Sequence, residues 1–199
     1  MADELKALKK KLRRVIASIL EKVPQEEVRR QSENVEKKIL ESEWYKDAKV
    51  ISIYVSTAGE IETDRLIRRA FDDGKTVFIP RFEKGNPKMQ MIKMNSTEEF
   101  DILQPSLWGI RQFESAENRT FYQDFGAIDL VLMPGVAFSV DGSRCGHGMA
   151  FYDKFLTEHQ QLFGKMPRKV ALALREQIID KVPTSSTDVQ LDRVCFSDD

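Results

Sequence analysis

The sequence predicts an α/β protein, three-layered α/β/α around a mostly parallel sheet. Short apolar runs of strand length alternate with amphipathic stretches of helical period along the chain. Several of these runs are nearly all apolar, as in strands covered on both faces. The 199 residues suffice for one sizeable core without disulfide staples. We expect a single domain over residues 1–199, with residues 3–41 as an N-terminal helical arm.

Leu5, Leu8, Leu12, Ile16 and Ile19 recur at three- and four-residue spacings, so residues 3–22 read as a helix with this apolar stripe and Lys9, Lys10, Lys11, Arg13 and Arg14 off it. Pro24 interrupts the pattern. Residues 26–42 resume it, with Val28, Val35, Ile39 and Leu40 toward a core. "VISIYV" (50–55) is a buried strand, and a helix follows it with Thr63 or Asp64 as N-cap, Leu66, Ile67, Ala70 and Phe71 on one face, and Gly74 past its end. "TVFIPR" (76–81) supplies the next buried strand. "KMQMIKM" (88–94) alternates as a half-exposed strand does, and "STEEFDIL" reads as a short capped helix. Residues 104–122 show no period and are expected to form a long loop carrying Trp108, a length often reserved for function. "AIDLVLMPG", "FYDKFLTEHQQLF" and "KVALAL" continue as strand, helix and strand.

A formal charge of −1 argues against a broad nucleic-acid surface, despite the basic stretch "KALKKKLRR" (6–14). No apolar run approaches the roughly 20 residues of a membrane-spanning helix, and the charged N-terminus is unlike a signal peptide. A cytoplasmic protein with no nucleic-acid or membrane partner is expected. Cys145 and Cys195 are too few for a disulfide framework or a four-sulfur metal site.

In open parallel sheets ligands bind beyond the carboxyl ends of strands, which directs attention to "STAGEIE", "RFEKGNP" and "GSRCGHG". The last of these leads into a helix, so its backbone N–H groups and the helix dipole suit an anion. Glycines between a strand and a helix are equally well read as punctuation. Arg144 adds a guanidinium that can grip phosphate, and Asp153 is either a magnesium ligand or an acid favoured by the helix dipole. Cys145 and His147 alone make a poor zinc site. Lys9 and Arg13, four apart, share a helix face as a phosphate clamp or as solvated charge. Glu60 reads as a ligand for ring nitrogens or as a surface acid, and Asp188 with Asp192 as a metal-capable pair or as capping acids.

In their order, "KKKLRR", "ISIYVSTAGEIET", "VFIPR", "MQM", "LWGI", "DLVLMPGVAF", "GSRCGHGMAFYD", "LALREQI" and "VPTSSTDVQLDRV" resemble the 5-formyltetrahydrofolate cyclo-ligase family over nearly the whole chain. The resemblance implies a layout related to sugar-phosphate isomerase and CoA-transferase domains. It implies a monomer that converts 5-formyltetrahydrofolate, polyglutamylated forms included, to 5,10-methenyltetrahydrofolate with ATP and Mg2+. Matched position by position, it makes Lys9, Arg13, Arg144, Gly146, His147, Gly148 and Tyr152 nucleotide-binding, with Arg144 catalytic. It makes Val55, Glu60, Met89, Trp108 and Tyr152 folate-binding, and Asp153 and Asp188 magnesium ligands.

The chain departs from the family pattern at four places. Ala150 stands where a third glycine is usual, Met149 where lysine or glycine is common, His147 where arginine or an aromatic residue is common, and Phe113 where proline is common. The first two motivate an alternative, a divergent paralogue that binds reduced folates with weak or no turnover.

Overall fold

A computed structural model describes residues 2–198. Two helices come first, α1 (Ala2–Leu20) and α2 (Gln25–Glu41), with Pro24 immediately before the second. A short α3 (Glu43–Asp47), capped by the Ser42 hydroxyl, then leads into β1 (Val50–Ile53), α4 (Asp64–Asp72) and β2 (Thr76–Arg81). After β3 (Gln90–Met94) and α5 (Thr97–Asp101) comes the small hairpin of β4 (Gln104–Pro105) and β5 (Arg111–Gln112), followed by α6 (Tyr122–Phe125). The chain continues through β6 (Leu130–Met133), a second hairpin of β7 (Ala137–Phe138) and β8 (Arg144–Cys145), α7 (Phe151–Phe163), β9 (Arg168–Ala173) and β10 (Arg193–Phe196).

Six strands form one sheet in the order β10–β9–β6–β1–β2–β3, every neighbouring pair parallel except β2 with β3. In β1, Ile51 lies opposite Val77 on one side and Leu130 on the other, which places it at the sheet's centre. One face of the sheet packs Ile51, Ile53, Val77, Ile79 and Leu132 against Val28, Val35 and Ile39 of α2 and Leu66, Ile67 and Ala70 of α4. The opposite face packs Phe78, Met91, Val131, Met133 and Ala171 against Tyr122 of α6 and Phe155 and Leu156 of α7. The protein is therefore three-layered α/β/α, as the run of apolar strands and amphipathic helices requires.

The chain runs outward from β1 to β3 and then returns to the other side of β1 as β6. The connections leaving these two neighbouring strands diverge, and a crevice opens at their carboxyl ends. Two features hold that crevice in shape. The Thr63 hydroxyl does not cap α4, as its sequence position suggests; it donates to the Tyr54 carbonyl at 2.7 Å and accepts from the Ser56 N–H at 3.1 Å. The Ser56 hydroxyl in turn accepts from the Thr63 N–H at 3.1 Å, so the loop after β1 is clasped at both ends.

The stretch 104–122, expected as a loop, contains the β4–β5 hairpin, whose turn carries Trp108 at φ 57 and Gly109 at φ 76. Gln112 fastens the hairpin to the end of β2 through two bonds with Phe82, from the Phe82 N–H at 2.9 Å and to its carbonyl at 2.7 Å. The buried line of α1 also differs from the expected stripe. Ile16 is buried and Leu12 and Leu20 partly so, against Val136, Ala137, Cys145 and Val182, whereas Leu8 and Ile19 are exposed. The narrow β7–β8 hairpin covers only a line of every fourth residue, which is less than the stripe's width. No helix among the described residues is long and apolar enough to cross a membrane.

Candidate functional site

Four segments converge at the carboxyl end of the sheet: the loop after β1, the end of β2 with the β4–β5 turn, the glycine loop between β8 and α7, and the first turns of α1. They enclose a cavity of about 910 Å³, closed on one side by residues 185–188. That volume is at the upper end of those found for small-molecule sites.

The basic wall begins on α1. Lys9 Nζ lies 2.6 Å from Asp188 Oδ2, and Arg13 Nε donates to the Gly146 carbonyl at 2.7 Å. Gly148 has φ +106, so the loop needs glycine there for its backbone, and the Arg13 guanidinium packs close over it, with Cζ 3.3 Å from where a Cβ would stand. A Cβ on Gly146 would stand 3.0 Å from Arg144 Nη1. Arg144 is 8% exposed and donates from Nη2 to Asp153 Oδ2 at 3.0 Å. Its Nε and the hydroxyl of Tyr152 are buried without a hydrogen-bond partner, and both residues line the cavity. Unsatisfied buried donors are costly, and an anionic or polar ligand would satisfy them. Burial pushes the Tyr152 phenol well above its ordinary range, so it remains a proton donor.

Two carboxylates face this wall. Asp153 Oδ1 accepts from the Val189 N–H at 3.0 Å, which brings the first turn of α7 beside the segment carrying Asp188. Burial opposes ionisation of Asp188, but the Lys9 ammonium and the Ser185 N–H and hydroxyl outweigh it and hold the carboxyl below its usual range. No group of three or more His, Cys, Asp or Glu suited to a metal occurs among the described residues. Magnesium asks for less, one or two carboxylates completed by waters and phosphate oxygens, and the hard oxygens of Asp153 and Asp188 fit that demand. Asp192 stays outside, bonded to Lys169 of β9.

The other half of the cavity is apolar and aromatic. Val55 and Tyr54 extend from β1, and Phe82, Trp108 and Phe151 form a triad with ring centroids 5.0 to 6.1 Å apart. Glu60 sits between the halves. Its Oε2 accepts from the Thr57 N–H at 2.8 Å and the Thr57 hydroxyl at 3.0 Å, while Oε1 lies 3.8 Å from His147 Nε2. A carboxylate fixed at one oxygen presents the other to a donor-bearing heterocycle. A second groove, of about 800 Å³, lies under α2 and shares Thr57, Glu60 and Trp108 with this cavity.

Lys9, Arg13, Arg144, Gly146, His147, Gly148, Asp153 and Asp188 thus meet with Val55, Glu60, Trp108 and Tyr152 around one space. Met89 does not join them; it is 7% exposed and packs in the apolar layer under α7. Phe113 also lies away, buried in the opposite layer with Arg119 over its ring. Sequence reasoning missed Phe82 and Phe151 as cavity walls. Phe82 directly follows β2 and Phe151 adjoins Tyr152, so the rule that ligands gather beyond strand ends was the available signal for the first.

The 5-formyltetrahydrofolate cyclo-ligase family model matches residues 5–197. A probable 5-formyltetrahydrofolate cyclo-ligase of Caenorhabditis elegans is 47% identical over 193 residues, which cover 96% of this chain and 94% of that protein. The 5-formyltetrahydrofolate cyclo-ligase of Mus musculus is 33% identical over 200 residues, covering 99% and 97%. Among solved structures, the 5,10-methenyltetrahydrofolate synthetase of Aquifex aeolicus superposes with a TM-score of 0.74 at 24% identity, covering 94% of this chain and 89% of that one. The synthetase of Mycoplasma pneumoniae gives 0.70 at 18%, covering 94% and 98%. At these identities the two structures speak for the fold.

Proposed function

The chain belongs to the 5-formyltetrahydrofolate cyclo-ligase family, and from that premise we propose that it closes 5-formyltetrahydrofolate to 5,10-methenyltetrahydrofolate with ATP and Mg2+. The observation that supports this most is the union in one cavity of a cationic glycine loop, two carboxylates and an aromatic wall.

In the proposed reaction the formyl oxygen attacks the γ-phosphorus and ADP departs. N10 then attacks the formyl carbon and gives up its proton to solvent, and phosphate leaves with the former formyl oxygen. Such chemistry asks for positioning and charge neutralisation more than for an acid or base. Arg144, held by Asp153, supplies fixed positive charge and a free Nε beside the transferring group, the catalytic role assigned to it. Lys9 and Arg13 hold the phosphate chain against the N–H groups around Gly146, His147 and Gly148. Magnesium, carried by Asp153 and Asp188, would neutralise phosphate charge. Glu60 receives N–H donors of the pterin, Val55 and Trp108 flank the ring system, and the Tyr152 hydroxyl donates between the two substrates.

We take the protein to act as a cytoplasmic monomer of one domain on mono- or polyglutamylated folate. The test is growth of the methenyl product's absorbance band with ATP and Mg2+, and one phosphate released per turnover. Its absence from folded protein at high concentration overturns the reading. A second reading, a folate-binding paralogue with little turnover, is favoured by Ala150, which stands at φ 54 where an L-residue is strained. Folate binding without ATP binding in calorimetry would select it.

A further inference from the structure

We propose that Lys6 is an additional anion-binding residue of this site, its ammonium engaging the polyphosphate chain of the nucleotide. The inference rests on the ATP site argued above and adds a residue to it.

Residues 6, 9 and 13 are three and four apart on α1 and therefore share one helix face, and all three line the cavity. Two of them are already engaged, Lys9 by Asp188 and Arg13 by the Gly146 carbonyl. Arg144, on the opposite wall, is engaged by Asp153. Among the described residues that line the cavity, Lys6 is the one ammonium or guanidinium with no hydrogen-bond or ion-pair partner in the protein. Four cations, Lys6 included, face three carboxylates, Glu60, Asp153 and Asp188, so one positive charge is uncompensated. A multiply charged ligand compensates it.

The anchor of α1 points to phosphate in preference to a folate carboxylate. Ile16 seats the helix on the β7–β8 hairpin, and the Arg13 guanidinium packs over Gly148. Arg13, which shares its helix face with Lys6, is therefore turned to the glycine loop, whose N–H groups are the natural seat of a phosphate. Lys6 is exposed at the cavity's edge, and its long stem and compact charge suit a ligand that arrives from solvent.

The test uses the full chain with Lys6→Met and Lys6→Arg. KM for ATP is measured at saturating 5-formyltetrahydrofolate, and KM for the folate at saturating ATP. Lys6→Met is expected to raise KM for ATP about five- to tenfold, with kcat and the folate KM within about twofold, and Lys6→Arg to restore most of the loss. An unchanged KM for ATP, or a change confined to the folate, overturns the proposal. Calorimetric titration of wild type and Lys6→Met with ATP alone reads the same contact without turnover. Inactive wild type that still binds ATP more tightly than Lys6→Met would sink the catalytic reading and leave this one standing; equal ATP affinity would sink this one.

Discussion

Arg144 and Asp153 meet at 3.0 Å across the glycine loop, joining the last strand of the β7–β8 hairpin to the first turn of α7. The Arg144 and Asp153 side chains are 7% and 15% exposed, so the pair sits in a poorly solvated floor, where its geometry is fixed before any ligand arrives. Replacing Asp153 by Asn leaves the Arg144 charge buried without its counter-charge, at a cost of about 3 kcal/mol in stability. It also frees the guanidinium to move from the place proposed for the transferring group, which should lower turnover about a hundredfold. Chemical denaturation and the absorbance assay on the same preparation check both; full turnover in folded Asp153→Asn would remove Asp153 from the machinery.

Ala150 at φ 54 and ψ 28 opens α7 in the left-handed region. Glycine adopts that conformation freely, so Ala150→Gly should stabilise the fold by about 1 kcal/mol, partly offset by the freer unfolded chain. For a chain of this size the melting temperature should rise about 2 °C. A fall on thermal denaturation would show that the position bears no strain.

Met149 is 48% exposed on the cavity wall beside the strained alanine. Met149→Lys adds a cation to the side of the cavity proposed for phosphate and, combined with Ala150→Gly, should raise kcat/KM for ATP about tenfold. Steady-state kinetics decide, and unchanged kcat/KM would mean that neither departure limits the enzyme.

The depressed Asp188 carboxyl makes stability depend on acid. Because its folded pKa lies below the unfolded value of about 3.9, its contribution is complete above that value and is lost as pH falls through the folded one. Urea unfolding between about pH 5 and pH 2 should therefore show a shallower acid decline for Asp188→Asn than for wild type. Identical slopes would contradict the ion pair with Lys9.

The layered fold was legible because its core strands are apolar on both faces, as "VISIYV" and "TVFIPR" are, and because the helices between them carry one apolar face each. The edge strand β10 escaped notice, since "RVCF" is short and begins with an exposed arginine. The hairpin around Trp108 escaped too: it is held by the Gln112 side chain on Phe82, a long-range bond that leaves no period in the sequence. The resemblance to a family's spacing named Lys9, Arg13, Arg144, Asp153 and Asp188 as candidates, and they line one cavity, whereas their hydrogen bonds are a product of folding segments far apart in the chain. Met89 misled because an apolar residue near a strand end reads alike whether it faces a ligand or, as here, the core.

The most direct test follows the formyl oxygen. With a heavy-oxygen label on the formyl group of 5-formyltetrahydrofolate, and ATP and Mg2+ present, the released phosphate is expected to carry the label in every turnover. Methenyl product formed with unlabelled phosphate, the heavy oxygen appearing in water, would contradict phosphorylation of the formyl oxygen and with it the role given to the Arg144 loop.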